Sequence, residues 1–221
     1  MRDELMEEWP PAIQVTVRAL RFWWDDWVNM AVVNMLWWVA WLTIVLGPPA
    51  TFGLYYVANQ LVQGKSLGPS GLLHGGRRYF LMSWAWFLVN LLVAVIIGAN
   101  LLFYRSFDAV WAGLLQAFFW LLAIAWLIVQ FYALPFAVEQ EQKSVYVALR
   151  NALYTALAAP GYTAIIISIA LLLLILSTGV VALLFIGGLS LIAVLGNGAI
   201  LERLQAFGLR EPPAAPEEEE L

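Results

Sequence analysis

The sequence predicts an all-α fold, a polytopic helical bundle in a membrane, and three observations carry the prediction. Of 221 residues, 63% are hydrophobic and 12% are charged. An ordinary soluble domain is nearer half apolar and a quarter charged, and a soluble fold of this size cannot hide so much apolar side chain. The apolar residues also gather into runs at 27–46, 81–104, 109–138 and 180–203, with a shorter aliphatic run at 161–177. Each of the longer runs reaches the roughly 20 residues that a helix needs to cross a bilayer. None has an ionised residue at its centre, where a charge costs about 2.5–3.5 kcal/mol on insertion.

Residues 1–26 are expected to form a cytoplasmic or interfacial amphipathic segment. The opening Met-Arg-Asp-Glu-Leu-Met-Glu-Glu is acidic and has no small-residue cleavage site, so it does not read as a signal peptide. Over 12–27 the helical period places Ile13, Val17, Leu20, Trp24 and Trp27 on one face, with Arg18, Arg21 and Asp25 on another. Clustered tryptophans at 23, 24 and 27 suit the headgroup boundary.

The transmembrane domain is expected over 27–204. After the first run, Gly47-Pro48-Pro49 reads as a tight turn and a candidate hinge. The following stretch, 50–66, is apolar at its start and polar at its inner end, and charge decides its course. Lys and Arg collect on the cytoplasmic side. If 50–66 lies flat, the eleven cations divide seven to four; if it crosses, ten fall on one side and Arg105 stands alone on the other. The second division predicts six spans (about 27–46, 50–66, 81–104, 109–138, 161–177 and 180–203) with both termini cytoplasmic. The outer turns are then short, which makes antiparallel neighbours, so the chain reads as three hairpins joined by two inner linkers with interfacial helices. In the second linker, Ser144 is the expected N-cap, with Val145, Leu149, Ala152, Leu153 and Ala156 as the apolar stripe opposite Lys143, Arg150 and Asn151. This surface reads either as an elbow lying on the membrane or as a docking face. Pro135 is a second candidate hinge, placed to open the end of the fourth span beside Glu139 and Glu141. The Pro/Ala/Glu-rich end, 205–221, is expected to be disordered.

Little chemistry is available. Cysteine is absent and His74 is the one histidine, so thiol catalysis, thiolate zinc and a paired-histidine metal site are not expected. No dinucleotide or phosphate-loop motif is present, no cofactor is expected, and nothing points to nucleic acid. The spans instead carry amides. Asn34, Asn90, Gln116, Gln130 and Asn197 are the candidate polar residues, and Asn90-Ala94-Gly98, Gln116-Ala123-Leu127-Gln130 and Ser190-Ala193-Asn197 each fall on one helical face. Small residues with an amide suit close helix seams; the alternative is a polar solute path. Trp37, Trp38, Trp120 and Trp126 lie well inside their spans, as core bulk or as sugar-stacking groups. Arg77, Arg78 and Arg150 are candidate contacts for anionic headgroups or for a partner protein.

At the first hairpin, Leu46-Gly47-Pro48-Pro49-Ala50-Thr51 followed by Leu54-Tyr55-Tyr56-Val57-Ala58 resembles the YesL family of small bacterial membrane proteins, with Ala148-Leu149-Arg150-Asn151-Ala152-Leu153 in support. The likeness covers about residues 15–205, and the Gly-rich linker Leu67–Gly76 departs from it in a way that would shorten the interfacial helix there. The resemblance implies an inner-membrane protein accessory to a transport system, with carbohydrate uptake as the expected setting and no catalytic residues to carry over. The competing expectation is a small-solute permease or channel lined by Trp, Asn and Gln.

Overall fold

The computed structural model describes residues 8–211 and, among them, contains helices and turns without strands. The helices are α1 (Pro11–Asp25), α2 (Trp27–Leu42), α3 (Gly47–Val62), α4 (Gly68–Arg78), α5 (Phe80–Tyr104), α6 (Val110–Glu139), α7 (Val145–Ala158), α8 (Pro160–Gly179) and α9 (Leu189–Ala206). A helical turn, Val181–Leu183, and a π-helical turn, Leu184–Gly188, lead into α9. The disorder expected over 205–221 is corrected in its first part, since Gln205 and Ala206 complete α9 and Arg210 pairs with Glu139 and Gln63; residues 1–7 and 212–221 lie outside the described residues.

Four helices are long and apolar enough to cross a membrane: α5 with 25 residues, α6 with 30, α8 with 20, and Leu184–Ala206 with 23. The fold is that of a helical membrane protein. The other two expected crossings are shorter, since α2 and α3 have 16 residues each. Their lengths do not by themselves establish the six-span, three-hairpin arrangement.

α3 is the hub of the molecule. It packs against α1, α2, α4, α5, α6 and α9, and Gly47 through Leu54, Val57, Ala58, Asn59 and Leu61 are buried. Protein rather than lipid surrounds this helix, so it tolerates buried Thr51 and Asn59 that a lipid-facing span would not. α4 lies directly on it. A Cβ on Gly53 would come within 2.3 Å of the Leu72 carbonyl oxygen, and one on Gly75 within 2.7 Å of Tyr56 Cβ. Glycines on both helices let the two backbones touch. The Gly-rich linker therefore forms an 11-residue helix whose glycines are its packing surface.

Two expectations about local structure are corrected. Gly47, Pro48 and Pro49 are neither turn nor hinge but the buried first turn of α3, where proline has no helical donor to lose. The turn lies earlier, at Thr43–Leu46, with Ile44 at φ 59°. Gly47 is locked there, because a Cβ on it would lie 2.6 Å from the Trp41 ring. Pro135 does not open α6, which continues to Glu139. Its ring packs on Gly196, a Cβ of which would also sit 3.5 Å from the Phe131 carbonyl that Pro135 leaves without its helical donor. α1 keeps its large apolar stripe outward and packs on α9 through a neighbouring stripe of small residues. Ala12, Val15 and Ala19 face inward on α9, while Ile13, Leu20 and Trp24 are exposed. Small side chains win this face because close approach to α9 needs them: a Cβ on Gly198 would be 3.3 Å from Val15. On α7, Leu153 likewise falls outward, and Ala148 and Thr155 join Ala152 in the packed face.

Candidate functional site

The amides are distributed over several helix seams. Asn34, fully buried on α2, clasps the π-turn: its Nδ2 donates to the carbonyls of Leu184 (3.0 Å) and Phe185 (2.6 Å), and its Oδ1 accepts from the Ser190 backbone N–H (3.0 Å). A π-turn breaks the regular i→i−4 ladder, and these are peptide groups at that break. Trp23 completes the joint, donating from Nε1 to Ser190 Oγ at 2.9 Å, while its ring occupies the space a Cβ on Gly187 would need.

Between α5 and α6 the indoles find amide acceptors. Trp126 donates to Asn90 Oδ1 at 3.0 Å and Trp86 to Gln130 Oε1 at 2.8 Å. Trp37 and Trp41 both donate to Thr51 Oγ1, at 3.0 and 3.2 Å, and Trp38 reaches the Leu184 carbonyl at 3.4 Å. On α9, Asn197 donates to the Tyr55 carbonyl at 3.3 Å and to Ala193 at 2.8 Å, and its Oδ1 is buried without a donor. Gln116 is apart from all of these. It lines an open groove of about 420 Å³ between the turn-proximal halves of α5 and α6, with Gly98, Leu101, Leu102, Arg105 and Trp120.

That half of the hairpin stands apart among the described residues. From Leu91 to Ala125, the hydrogen bonds and ring contacts among the described residues stay inside the α5–α6 hairpin, Tyr104 on Phe119 and Tyr104 on Trp111 among them. Leu92, Val95, Leu102, Leu114, Phe118 and Leu121 are exposed on it.

At the other end of the bundle, polar and charged groups converge. Buried Asn59 donates to Glu139 Oε2 at 2.8 Å, and Gln63 donates to Asn59 Oδ1 at 2.8 Å. Arg210 forms an ion pair with Glu139 and donates to Gln63 Oε1 at 3.2 Å. The Ser66 hydroxyl donates to Asp26 at 2.7 Å, joining the α3–α4 linker to the α1–α2 junction. Tyr79, buried between α4 and α5, donates to the Val138 carbonyl at 3.1 Å. The Arg78 guanidinium and the Lys143 ammonium sit over its ring, 5.6 and 5.5 Å from the centroid. Burial pushes the Tyr79 phenol above its usual value, with the Arg78 charge partly offsetting it.

Arg77 and Arg78 thus meet Lys143 across a groove of about 620 Å³, whose lining also includes Ser144, Tyr146 and the apolar side chains of Phe80, Leu81 and Ala85. Arg150, the third expected cation, is exposed farther along α7 and does not line it. Sequence reasoning missed Lys143 as a partner of the arginines, and it missed the Asn59–Gln63–Glu139–Arg210 cluster. No local pattern announces either, because the partners are brought together only by the helix ends. The signal that was present and unread is Gly71-Leu72-Leu73-His74-Gly75, a small-xxx-small spacing that marks the α3–α4 contact.

These observations define a class: a helical membrane protein with amide-locked seams, a polar end, and a projecting apolar hairpin. No family model, curated protein or solved structure matches the chain.

Proposed function

We propose that this chain is a non-enzymatic accessory or assembly partner of a transport system in a bacterial inner membrane. The reading includes six crossings, with both termini cytoplasmic and the α5–α6 turn outside. Ten cations then share one side and Arg105 stands opposite. The bonds that draw Asp26 to Ser66, Tyr79 to Val138 and Arg210 to Glu139 support a common inner end. The resemblance of the first hairpin to the YesL family extends the proposal to carbohydrate uptake as the setting.

The observation that carries the reading is the α5–α6 hairpin, whose outer half has no partner among the described residues and presents Gly98 beside Gln116 in an apolar surface. An amide there gains from a helix that closes over it, since lipid offers it no hydrogen bond. A permease path would draw on the same amides, but Asn34, Asn90, Gln130 and Asn197 are engaged in bonds on separate seams.

A photo-crosslinking residue at Gly98 or Gln116, and a control at Leu172 on α8, tests this in cells at native expression. The expected result is one membrane-protein adduct, a transporter subunit, from the first two positions and none from the third. Lipid adducts alone at all three positions overturn the proposal. Solute uptake by liposomes containing only this protein overturns it in favour of the permease.

A further inference from the structure

The groove between the α4–α5 junction and the start of α7 is a binding site for an anionic phospholipid, we infer, and this does not rest on the accessory reading. Three cations converge on it: Arg77, Arg78 and Lys143. None has a carboxylate within 4.0 Å among the described residues. Two of them are held over the same buried ring, Tyr79, so their separation is set by the fold and not by free rotation. Ser144 caps α7 by accepting from Val147 N–H, and the N–H groups of Val145 and Tyr146 have no backbone acceptor, which adds donors at the same mouth.

The rest of the lining is apolar and leads along α5. Phe80, Leu81 and Ala85 form that wall, and Leu81 is 82% exposed. α5 is one of the helices of crossing length, so the groove opens where that helix enters lipid. A phosphodiester in the cationic mouth with an acyl chain against Leu81 and Ala85 satisfies both halves. An acidic protein segment satisfies only the first. Basic pockets where a spanning helix meets the membrane surface commonly hold such headgroups.

The test is native mass spectrometry of the full chain in neutral detergent, offered phosphatidylglycerol and phosphatidylcholine at equal concentration. The expected result is at least tenfold tighter retention of phosphatidylglycerol. Arg78→Gln with Lys143→Gln weakens it about fivefold per cation, the equivalent of about 1 kcal/mol each. Arg150→Gln, outside the groove, leaves it within twofold. Ala85→Phe fills the apolar wall without touching a charge and also weakens retention. Should the double variant fail to fold, Arg77→Gln carries the charge test, since this side chain is exposed and forms no hydrogen bond or ion pair among the described residues. Equal retention of the two lipids overturns the site, as does an effect of Arg150→Gln matching that of the groove variants. Displacement by inorganic phosphate with no effect of Ala85→Phe marks a bare-anion site and overturns the lipid assignment. Displacement by an acidic peptide under the same conditions overturns it in favour of a protein partner.

Discussion

Two helical glycines behave in opposite ways here, and the difference is measurable. Gly53 faces the Leu72 carbonyl oxygen, 2.3 Å from where a Cβ would stand, whereas nothing lies within 4 Å of a Cβ on Gly98. Gly53→Ala must push α3 and α4 apart along their whole contact, at a cost of about 1–3 kcal/mol. Gly98→Ala gains helix propensity, about 0.5–1 kcal/mol, with no steric loss. Thermal unfolding in detergent followed by circular dichroism is expected to move down for the first and to hold or rise for the second. Equal shifts would mean that α4 does not lie on α3 as described. The residue scale is also where sequence reasoning was weakest. Asn34 was identified as a polar residue within a span, but its partners at 184, 185 and 190 are about 150 positions away. Nothing local encodes that pairing.

Elements are held by a small number of such long-range joints, and the end of α6 is the clearest. Glu139 sits at a helix C-terminus, where the dipole disfavours a carboxylate, and its side chain is only 17% exposed. Asn59, Gln63 and Arg210 compensate it. Arg210→Gln leaves the carboxylate half-dry and without its cation, and is expected to cost about 1–2 kcal/mol after allowance for the partial exposure of the pair. Adding Glu139→Gln removes the charge that needed the partner and recovers most of that loss. A double-mutant cycle on thermal stability checks this, and strictly additive losses would show that the two side chains do not interact. The long helices themselves were plain in the sequence, because run length and apolarity are local properties. The α1 face was not. Its large apolar residues outline a stripe by period alone, while the side that meets protein is set by α9, where a Cβ on Gly198 would stand 3.3 Å from Val15. Gly47-Pro48-Pro49 misled for a related reason: proline breaks a helix interior but begins one well, and composition does not distinguish the two.

For the whole molecule the question is which side each end occupies. The chain has no cysteine, so single reporters can be placed without background. Lys65→Cys lies in the α3–α4 linker and Ser106→Cys in the α5–α6 turn, at the far end of the 25-residue α5, which is about 37 Å long by helix rise. An impermeant thiol reagent added to intact cells is expected to label the second and spare the first. The reverse pattern would invert the proposed topology, and labelling of both would remove the α3 crossing. The same scale explains why α3 was hard to read from its residues. A helix enclosed by six others is chosen for fit to them rather than for solubility in lipid, and its composition records that enclosure poorly.

The enclosure of α3 has a consequence for biogenesis. The ties that cover it and its neighbours reach from Trp23 to Ser190, from Asn34 to Leu184 and from Tyr55 to Asn197, spans of 167, 150 and 142 positions. The ribosome therefore delivers the middle of the molecule long before it delivers the lid. Until the last helix emerges, nascent chains carry a half-clothed amide surface inside the bilayer, the kind of feature that holding factors shelter and quality-control proteases cut. Messages truncated just short of codon 180 should yield chains that are inserted and then rapidly destroyed, which a pulse-chase against the full-length chain checks.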